Sequence, residues 1–157
     1  MRTSLLFSCL FFLLTINTQA QTDVAVTDEE LGKYATAMDS VNELTLELMD
    51  SITLMVKNTT VVNAARYNDL SKIVNDENKL AEAKATPEEI AFVKSVADYK
   101  SKGTSEINAA FQSLAKDYVG AATFNKVKKA LAADAELKGK YDSLMEELKK
   151  DNVRTVE

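Results

Sequence analysis

The stretch that decides the fold is residues 27–57, TDEELGKYATAMDSVNELTLELMDSITLMVK. Thr27 and Glu30 have the spacing of a capping box, in which each side chain accepts a hydrogen bond from the other residue's backbone N–H at a helix start. Apolar residues and one threonine then recur in alternating steps of three and four, which is the period of one helix face. The pattern predicts one long helix over about residues 28–57. Its apolar face consists of Leu31, Tyr34, Met38, Val41, Thr45, Leu48, Ile52 and Met55.

A second copy of this pattern begins 59 residues later. Thr86 and Glu89 repeat the capping box, and Pro87 takes the first helical position, where a proline suits a helix. The matches keep an offset of 59 and then, after a slip of two residues, an offset of 57. They include Asp39/Asp98, Thr45/Thr104, Lys57/Lys116, Val62/Val119, Tyr67/Phe124, Leu70/Val127 and Leu80/Leu137. This internal repeat predicts a duplicated unit, with copies over about residues 27–85 and 86–150.

The second copy predicts a long helix over about residues 87–118, with a poorer apolar stripe. Lys100 and Gly103 stand at its centre, at the positions where the first copy has Val41 and Leu44. Because a glycine inside a helix costs about 1 kcal/mol relative to alanine, we expect this helix to be weakened or bent near residues 101–103. Two interpretations of Gly103 stay open. It is either a hinge or close helix crossing, or a tolerated surface glycine.

Each long helix is followed by a shorter one with the pattern aromatic-Asn-x-aliphatic. We expect these short helices over about residues 64–74 and 122–132, with Tyr67 and Phe124 facing the core. A fifth helix follows Asp134, where apolar residues again recur in steps of four and three.

The fold class follows from the size of the two copies. Two copies in 137 residues are too small to hold separate cores. The sequence therefore predicts one all-α domain over residues 21–157, an antiparallel helical bundle of about five helices built from a duplicated long-helix/short-helix unit. Residues 77–83 are the shortened counterpart of the fifth helix in the first copy.

The beginning of the chain has the features of an export signal. Arg2 precedes an apolar run over residues 5–16, and the run closes on Thr18-Gln19-Ala20, a small-x-small site for cleavage before Gln21. The run is too short to span a hydrocarbon core of about 30 Å. We therefore expect a cleaved signal peptide over residues 1–20 and an exported mature chain, periplasmic or extracellular, with no integral membrane segment.

Composition argues against several kinds of site. The chain has no histidine, and its single cysteine, Cys9, lies in the predicted signal peptide. The mature chain therefore lacks the ligands of His- and Cys-bound metal sites and the usual acid–base residue. No glycine-rich phosphate-binding motif occurs, and a net charge of −5 disfavours nucleic acid as a partner. We expect no enzyme, no catalytic residue, no metal, no cofactor and no small-molecule ligand.

The four methionines of the mature chain allow two interpretations. Met38 and Met55 lie on the predicted apolar face, which favours packing in the core. Together with Met49 and Met145, they would instead suit an adaptable binding surface, because methionine side chains are flexible and polarisable. Core packing is the expectation.

The motifs also resemble a known bacterial family. They are Thr-x-Glu-Glu-aliphatic at the start of each long helix, aromatic-Asn-x-aliphatic in the next helix, and Asp134-Ala135-Glu136-Leu137. This set is similar to the secreted helical family catalogued as domain of unknown function 4168, over most of residues 27–150. The segment Gln19-Ala20-Gln21 is similar to export signals of Bacteroidota. The resemblance implies an exported all-helical protein and assigns no catalytic residue.

These observations predict a non-enzymatic protein of the cell envelope, with a structural role or a role in binding a protein partner or itself. A holdase-like periplasmic chaperone for exported clients is the alternative. A carboxylate-based hydrolase would require two acidic groups buried together with raised pKa values. The two copies agree at the helix caps and differ at the centres of the long helices. We therefore expect any functional site to lie beside those centres. The candidate interaction region consists of Val41, Leu44, Thr45, Lys100, Gly103 and Thr104.

Overall fold

Helices make up most of residues 25–151, the part of the chain that the computed structural model describes. The elements are α1 (Asp28–Asn58), α2 (Ala64–Ser71), α3 (Glu77–Glu82), α4 (Pro87–Ser113), a π-helical segment (Leu114–Tyr118), α5 (Ala121–Ala133) and α6 (Ala135–Asp151). No strand occurs within these residues, so the all-α prediction is confirmed. The predicted signal peptide lies outside the described residues, as do residues 21–24 and 152–157.

Both long helices begin at the predicted capping boxes. Thr27 Oγ1 accepts a hydrogen bond from the N–H of Glu30 at 3.2 Å, and the Glu30 carboxylate accepts one from the N–H of Thr27 at 2.9 Å. Thr86 and Glu89 make the same two bonds at 3.2 and 2.9 Å. Each box satisfies two N–H groups that would otherwise lack partners at the helix start. These local bonds fix where α1 and α4 begin.

Helix α4 runs without interruption through Gly103, so the weakening predicted there does not break the helix. The departure from α geometry comes later, in the π-helical segment, where the N–H of Val119 donates to the carbonyl of Leu114 at 2.9 Å. Helix α5 then begins after Gly120, whose φ of 88° is a conformation that glycine adopts without the steric penalty of a Cβ atom. The second long helix and its π-helical continuation together match the predicted range of residues 87–118.

Eight of the fourteen buried apolar side chains in the described part of the chain form two clusters, where the sequence predicts one core. The α2 cluster combines α2, α3 and the start of α4, and its buried members are Val62, Leu70, Val74, Leu80 and Val93. The α5 cluster combines the start of α1 with α5 and α6, and its buried members are Leu31, Tyr34 and Val127. Each cluster therefore packs the start of one long helix against the short helix that follows the other long helix.

Aromatic rings connect the elements of each cluster, and Tyr67 and Phe124 pack against the clusters as predicted. The ring of Tyr67 lies 6.3 Å from that of Phe92, between centroids. Phe124 lies 4.8 Å from Tyr34 and 5.5 Å from Phe111. Phe124 thus joins α5 to both long helices.

Each capping glutamate also forms an ion pair with a short helix. Arg66 of α2 donates through Nε and Nη2 to the two carboxylate oxygens of Glu89, at 2.9 and 2.8 Å. Lys126 of α5 donates through Nζ to the two oxygens of Glu30, at 2.9 and 2.7 Å. Because the Glu89 side chain is only 14% exposed, solvent screens its pair less than a typical surface pair. The same glutamates therefore cap the long helices and anchor the short ones.

Acid should weaken the ion pair of Glu89. The hydrogen bonds from Arg66, helped by the backbone N–H of Thr86, lower the pKa of Glu89 from 4.5 to about 2. Because the folded-state pKa is the lower one, ionised Glu89 stabilises the fold fully above pH 4.5, and this contribution is lost as the pH falls towards 2. We expect Glu89→Gln to lower the free energy of unfolding at pH 7, and the difference from wild type to disappear near pH 2.

Urea unfolding at the two pH values measures this difference. Glu88→Gln, a substitution at the exposed neighbouring position, is the matched control and should change little at either pH. A loss of stability for Glu89→Gln that is equally large at pH 7 and at pH 2 would contradict the expected role of the carboxylate charge.

Candidate functional site

The middle of both long helices carries no buried residue. Over residues 40–55 of α1 and 97–113 of α4, every side chain is exposed or half-buried. The α5 cluster reaches along α1 only as far as Met38, and the α2 cluster reaches α4 only at residues 90–93. We call these two segments the waist. The α1 part of the waist is about 24 Å long at 1.5 Å per residue.

A groove of about 430 Å³ runs along the waist between the two helices. A Cβ at position 103 would lie 2.5 Å from Cδ1 of Leu48, so the missing side chain of Gly103 lets Leu48 pack closely against α4. Of the two interpretations of Gly103, this contact supports a close helix crossing. The groove is lined by Leu44, Glu47, Leu48 and Ser51 of α1 and by Tyr99, Gly103, Glu106, Ile107 and Ala110 of α4.

The structure brings two of the six candidate interaction residues together in this groove, Leu44 and Gly103. The other four, Val41, Thr45, Lys100 and Thr104, lie on the waist but do not line the groove. Thr45 and Thr104 each donate a hydroxyl hydrogen bond at 2.8 Å to the backbone carbonyl four residues earlier. Their hydroxyls are therefore already engaged within their own helices.

Three large apolar side chains of the waist lie outside the predicted apolar face and are exposed to solvent. Leu46, Met49 and Leu54 are 56%, 58% and 50% exposed, and Leu44 and Tyr99 at the groove are also exposed. Grouped exposed apolar side chains mark interaction surfaces more often than isolated ones do. The sequence does contain a signal for these residues. Helix α1 already has an apolar face with the three-and-four spacing, and additional leucines and methionines outside that spacing indicate a second apolar surface.

The methionines divide between the two interpretations. Met145 is buried, Met38 packs against the α5 cluster, and Met55 is half-buried. Met145 and Met38 follow the expected core role, whereas Met55 lies in neither cluster. Met49 instead projects from the waist, where its flexible side chain suits contact with a partner.

Charge is uneven across the waist. Residues 40–55 of α1 include three acidic residues and no basic one, namely Glu43, Glu47 and Asp50. The α4 side carries both signs, with Lys100 and Lys102 as well as Asp98 and Glu106. Basic groups on a partner would therefore complement the α1 side of the waist.

Ion pairing lowers the pKa of several carboxylates away from the waist. Hydrogen bonds from lysine side chains are the main cause at Glu29, Glu30 and Glu146. Asp39 is the only buried charged residue in the described part of the chain. Within residues 25–151, no group of three or more acidic side chains is placed to hold a metal ion.

Comparisons of the chain with protein-family models, with curated proteins and with solved structures found no match. Among the described residues, no helix is both long enough and apolar enough to cross a lipid bilayer. The waist is therefore the feature from which a function can be argued.

Proposed function

We propose that this chain is an exported, non-enzymatic protein of the cell envelope that binds a protein partner, or a second copy of itself, through the waist. The proposal depends on one observation above all. A continuous helix segment of 16 residues, 40–55, has no buried side chain and yet carries Leu46, Met49 and Leu54 on its exposed surface. Covering such side chains stabilises a complex by roughly 25 cal/mol per Å² of apolar surface removed from water.

The surroundings of these side chains also suit an interface. Glu43 and Asp50 lie within about one helical turn of Leu46 on α1, so apolar and acidic side chains share this surface. The proposed partner surface is correspondingly apolar with basic groups.

We infer that the architecture is an antiparallel bundle built from a duplicated unit. Phe124 contacts Tyr34 near the start of α1 and Phe111 near the end of α4, and Leu48 near the middle of α1 lies against Gly103 in α4. The two clusters support the duplication, because positions paired by the sequence repeat occur in both. These pairs are Ile90/Leu31, Val93/Tyr34, Tyr67/Phe124, Leu70/Val127, Val74/Leu131 and Leu80/Leu137.

The export signal and the family resemblance extend the proposal to the location of the protein. Signal cleavage before Gln21 would release residues 21–157 into the periplasm or beyond the cell, as the motif at residues 18–20 predicts. Membership of the family catalogued as domain of unknown function 4168 stays a prediction from the motifs. The mass of the exported chain, isolated from cells, checks the cleavage point.

Site-specific crosslinking at the waist tests the proposed interaction. A photo-crosslinking amino acid at Met49, introduced into the full chain in its native cells, should give a discrete light-dependent adduct. The same amino acid at Asn75, which is exposed outside the waist, is the control and should give none. Analytical ultracentrifugation of the purified mature chain separates self-association from binding to another protein. A strictly monomeric chain with no adduct specific to Met49 would overturn the proposal.

Removing the apolar side chains should abolish the adduct without unfolding the protein. We expect the double substitution Leu46→Ser and Met49→Ser, with the crosslinker moved to Leu54, to reduce adduct yield by at least about tenfold. Substitutions at such exposed positions usually change stability by no more than about 0.5 kcal/mol. Far-UV circular dichroism checks that helix content is retained. An adduct of unchanged yield would mean that the waist is not the contact surface.

The groove favours a holdase-like chaperone as a second candidate function. Leu44, Leu48, Tyr99 and Ile107 give it apolar walls, and it is open along the waist. Such a groove would shield an apolar segment of an unfolded client. The mature chain at an equimolar ratio should then suppress aggregation of a denatured client protein, as measured by light scattering. Absence of suppression would remove this candidate and leave the interaction proposal in place.

A further inference from the structure

The connection from α1 to α2 is longer than its counterpart from the π-helical segment to α5. Four residues separate Lys57 from Val62, whereas two separate Lys116 from Val119, and the repeat pairs these positions. The two additional residues lie within the connection of residues 59–63, between α1 and α2. This length difference is the two-residue slip of the sequence repeat.

A pocket of about 950 Å³ opens beside the longer connection, between α1 and α2. Pockets of about 300–1,000 Å³ are of the size that holds small organic ligands. Val56 and Val62 are buried in its wall, and the ring of Tyr67 is half-buried there. Val61, from the connection, lies at the pocket and is 42% exposed. The pocket therefore offers apolar surface to a ligand.

The charge of this pocket differs from that of the chain as a whole. None of its lining residues is acidic, and Lys57 is its one charged residue, in a chain with 24 acidic residues. The groove at the waist, by contrast, includes Glu47 and Glu106. An anionic group would meet no carboxylate in the pocket wall and would face an ammonium group, so the electrostatic complementarity favours an anion.

We propose that this pocket binds a small anionic amphiphile, whose apolar body packs against Ile52, Val61 and Tyr67 and whose carboxylate or sulfonate group faces Lys57. The pocket adjoins the end of the waist, which contributes Ile52 and Thr53 to its lining, but the proposed ligand does not depend on the partner proposed there. It departs from the sequence-based expectation of no small-molecule ligand, which rested on the absence of phosphate-binding and metal-binding motifs. The lining residues all lie within residues 52–68, and the turn from α1 to α2 arranges them around the pocket.

Decanoate, below its micellar concentration, is the probe for this site. Isothermal titration calorimetry of the mature chain should show saturable binding at a single site. Octanoate should bind more weakly, by up to about fourfold for each methylene removed. Decylammonium has the same number of carbons and the opposite charge, and it should bind at least about tenfold more weakly than decanoate. Absence of saturable decanoate binding, or equal affinity for the two charges, overturns the proposal.

Two matched pairs of variants localise the binding. Lys57→Glu should weaken decanoate binding by about tenfold or more, whereas Lys116→Glu, at the position that the repeat pairs with it, should leave the affinity within about twofold. Ala64→Phe should block the pocket, which Ala64 lines. Ala65→Phe, at the next exposed position and outside the lining, should not. Circular dichroism checks the fold of all four variants. If Lys57→Glu binds decanoate as Lys116→Glu does, or Ala64→Phe binds it as Ala65→Phe does, the pocket is not the binding site.

Discussion

Replacing Leu70 with alanine should lower the free energy of unfolding by about 3 kcal/mol, and replacing Leu31 with alanine should do the same. Leu70 is fully buried in the α2 cluster and Leu31 is 1% exposed in the α5 cluster. Buried leucine-to-alanine substitutions cost roughly 2–5 kcal/mol, because apolar contacts are lost and a cavity remains. Urea unfolding followed by far-UV circular dichroism measures the loss. Leu54→Ala, at a half-exposed position, is the control and should cost no more than about 1 kcal/mol.

The double variant Leu31→Ala/Leu70→Ala tests whether the two clusters unfold together. Helices α1 and α4 each extend from one cluster towards the other, so we expect one cooperative transition. Because the two sites share no contacts, the losses should add to about 6 kcal/mol. A two-step unfolding curve, in which Leu70→Ala shifts only one step, would instead show that the clusters are independent folding units.

Replacing Gly103 with valine should destabilise the protein by about 1–3 kcal/mol, the usual cost of forcing extra atoms into a packed contact. A Cβ at this position would lie 2.5 Å from Cδ1 and 3.0 Å from Cδ2 of Leu48. Gly103→Ala should be milder, because alanine favours the helix by about 1 kcal/mol relative to glycine and the end of the Leu48 side chain can shift. Thermal and urea unfolding of both variants measure the difference.

A compensating substitution separates the steric effect from a general loss of helix stability. Leu48→Ala removes the atoms that a Cβ at position 103 would meet. The double variant Leu48→Ala/Gly103→Val should therefore be more stable than the sum of the two single losses allows. Strict additivity, or a Gly103→Val variant as stable as wild type, would contradict a close helix crossing at Gly103.

The helix starts could be predicted from the sequence because their causes are local. The bonds between Thr27 and Glu30 span three residues, and the observed α1, Asp28–Asn58, begins where the capping box predicts and ends one residue beyond the predicted range. The ion pair from Lys126 to Glu30 joins residues 96 positions apart. Periodicity says nothing about such a pairing, because it describes one helix at a time. The two-cluster arrangement depends on these long-range pairings and therefore needed the structure.

The candidate site could be predicted only in part for a related reason. A three-and-four spacing shows which residues share a helix face, and Leu48 and Ile52 do share one. The spacing does not show whether another element covers that face. At the waist the face is only half-buried. Leu46 and Leu54 lie outside this face and are more exposed than its apolar members. The three-and-four spacing alone therefore does not select them.

The crossed packing of the clusters also bears on when the protein can fold as it is made. Leu31 and Tyr34, near the start of the chain, pack against Val127 of α5, about a hundred residues later in synthesis. Until α5 has emerged, Leu31 and Tyr34 lack their packing partners in the α5 cluster, and local helix formation alone is marginal. We therefore expect the start of α1 to pack only when nearly all of the chain has been synthesised. Such a delay would suit the proposed export, in which the chain crosses a membrane before it folds.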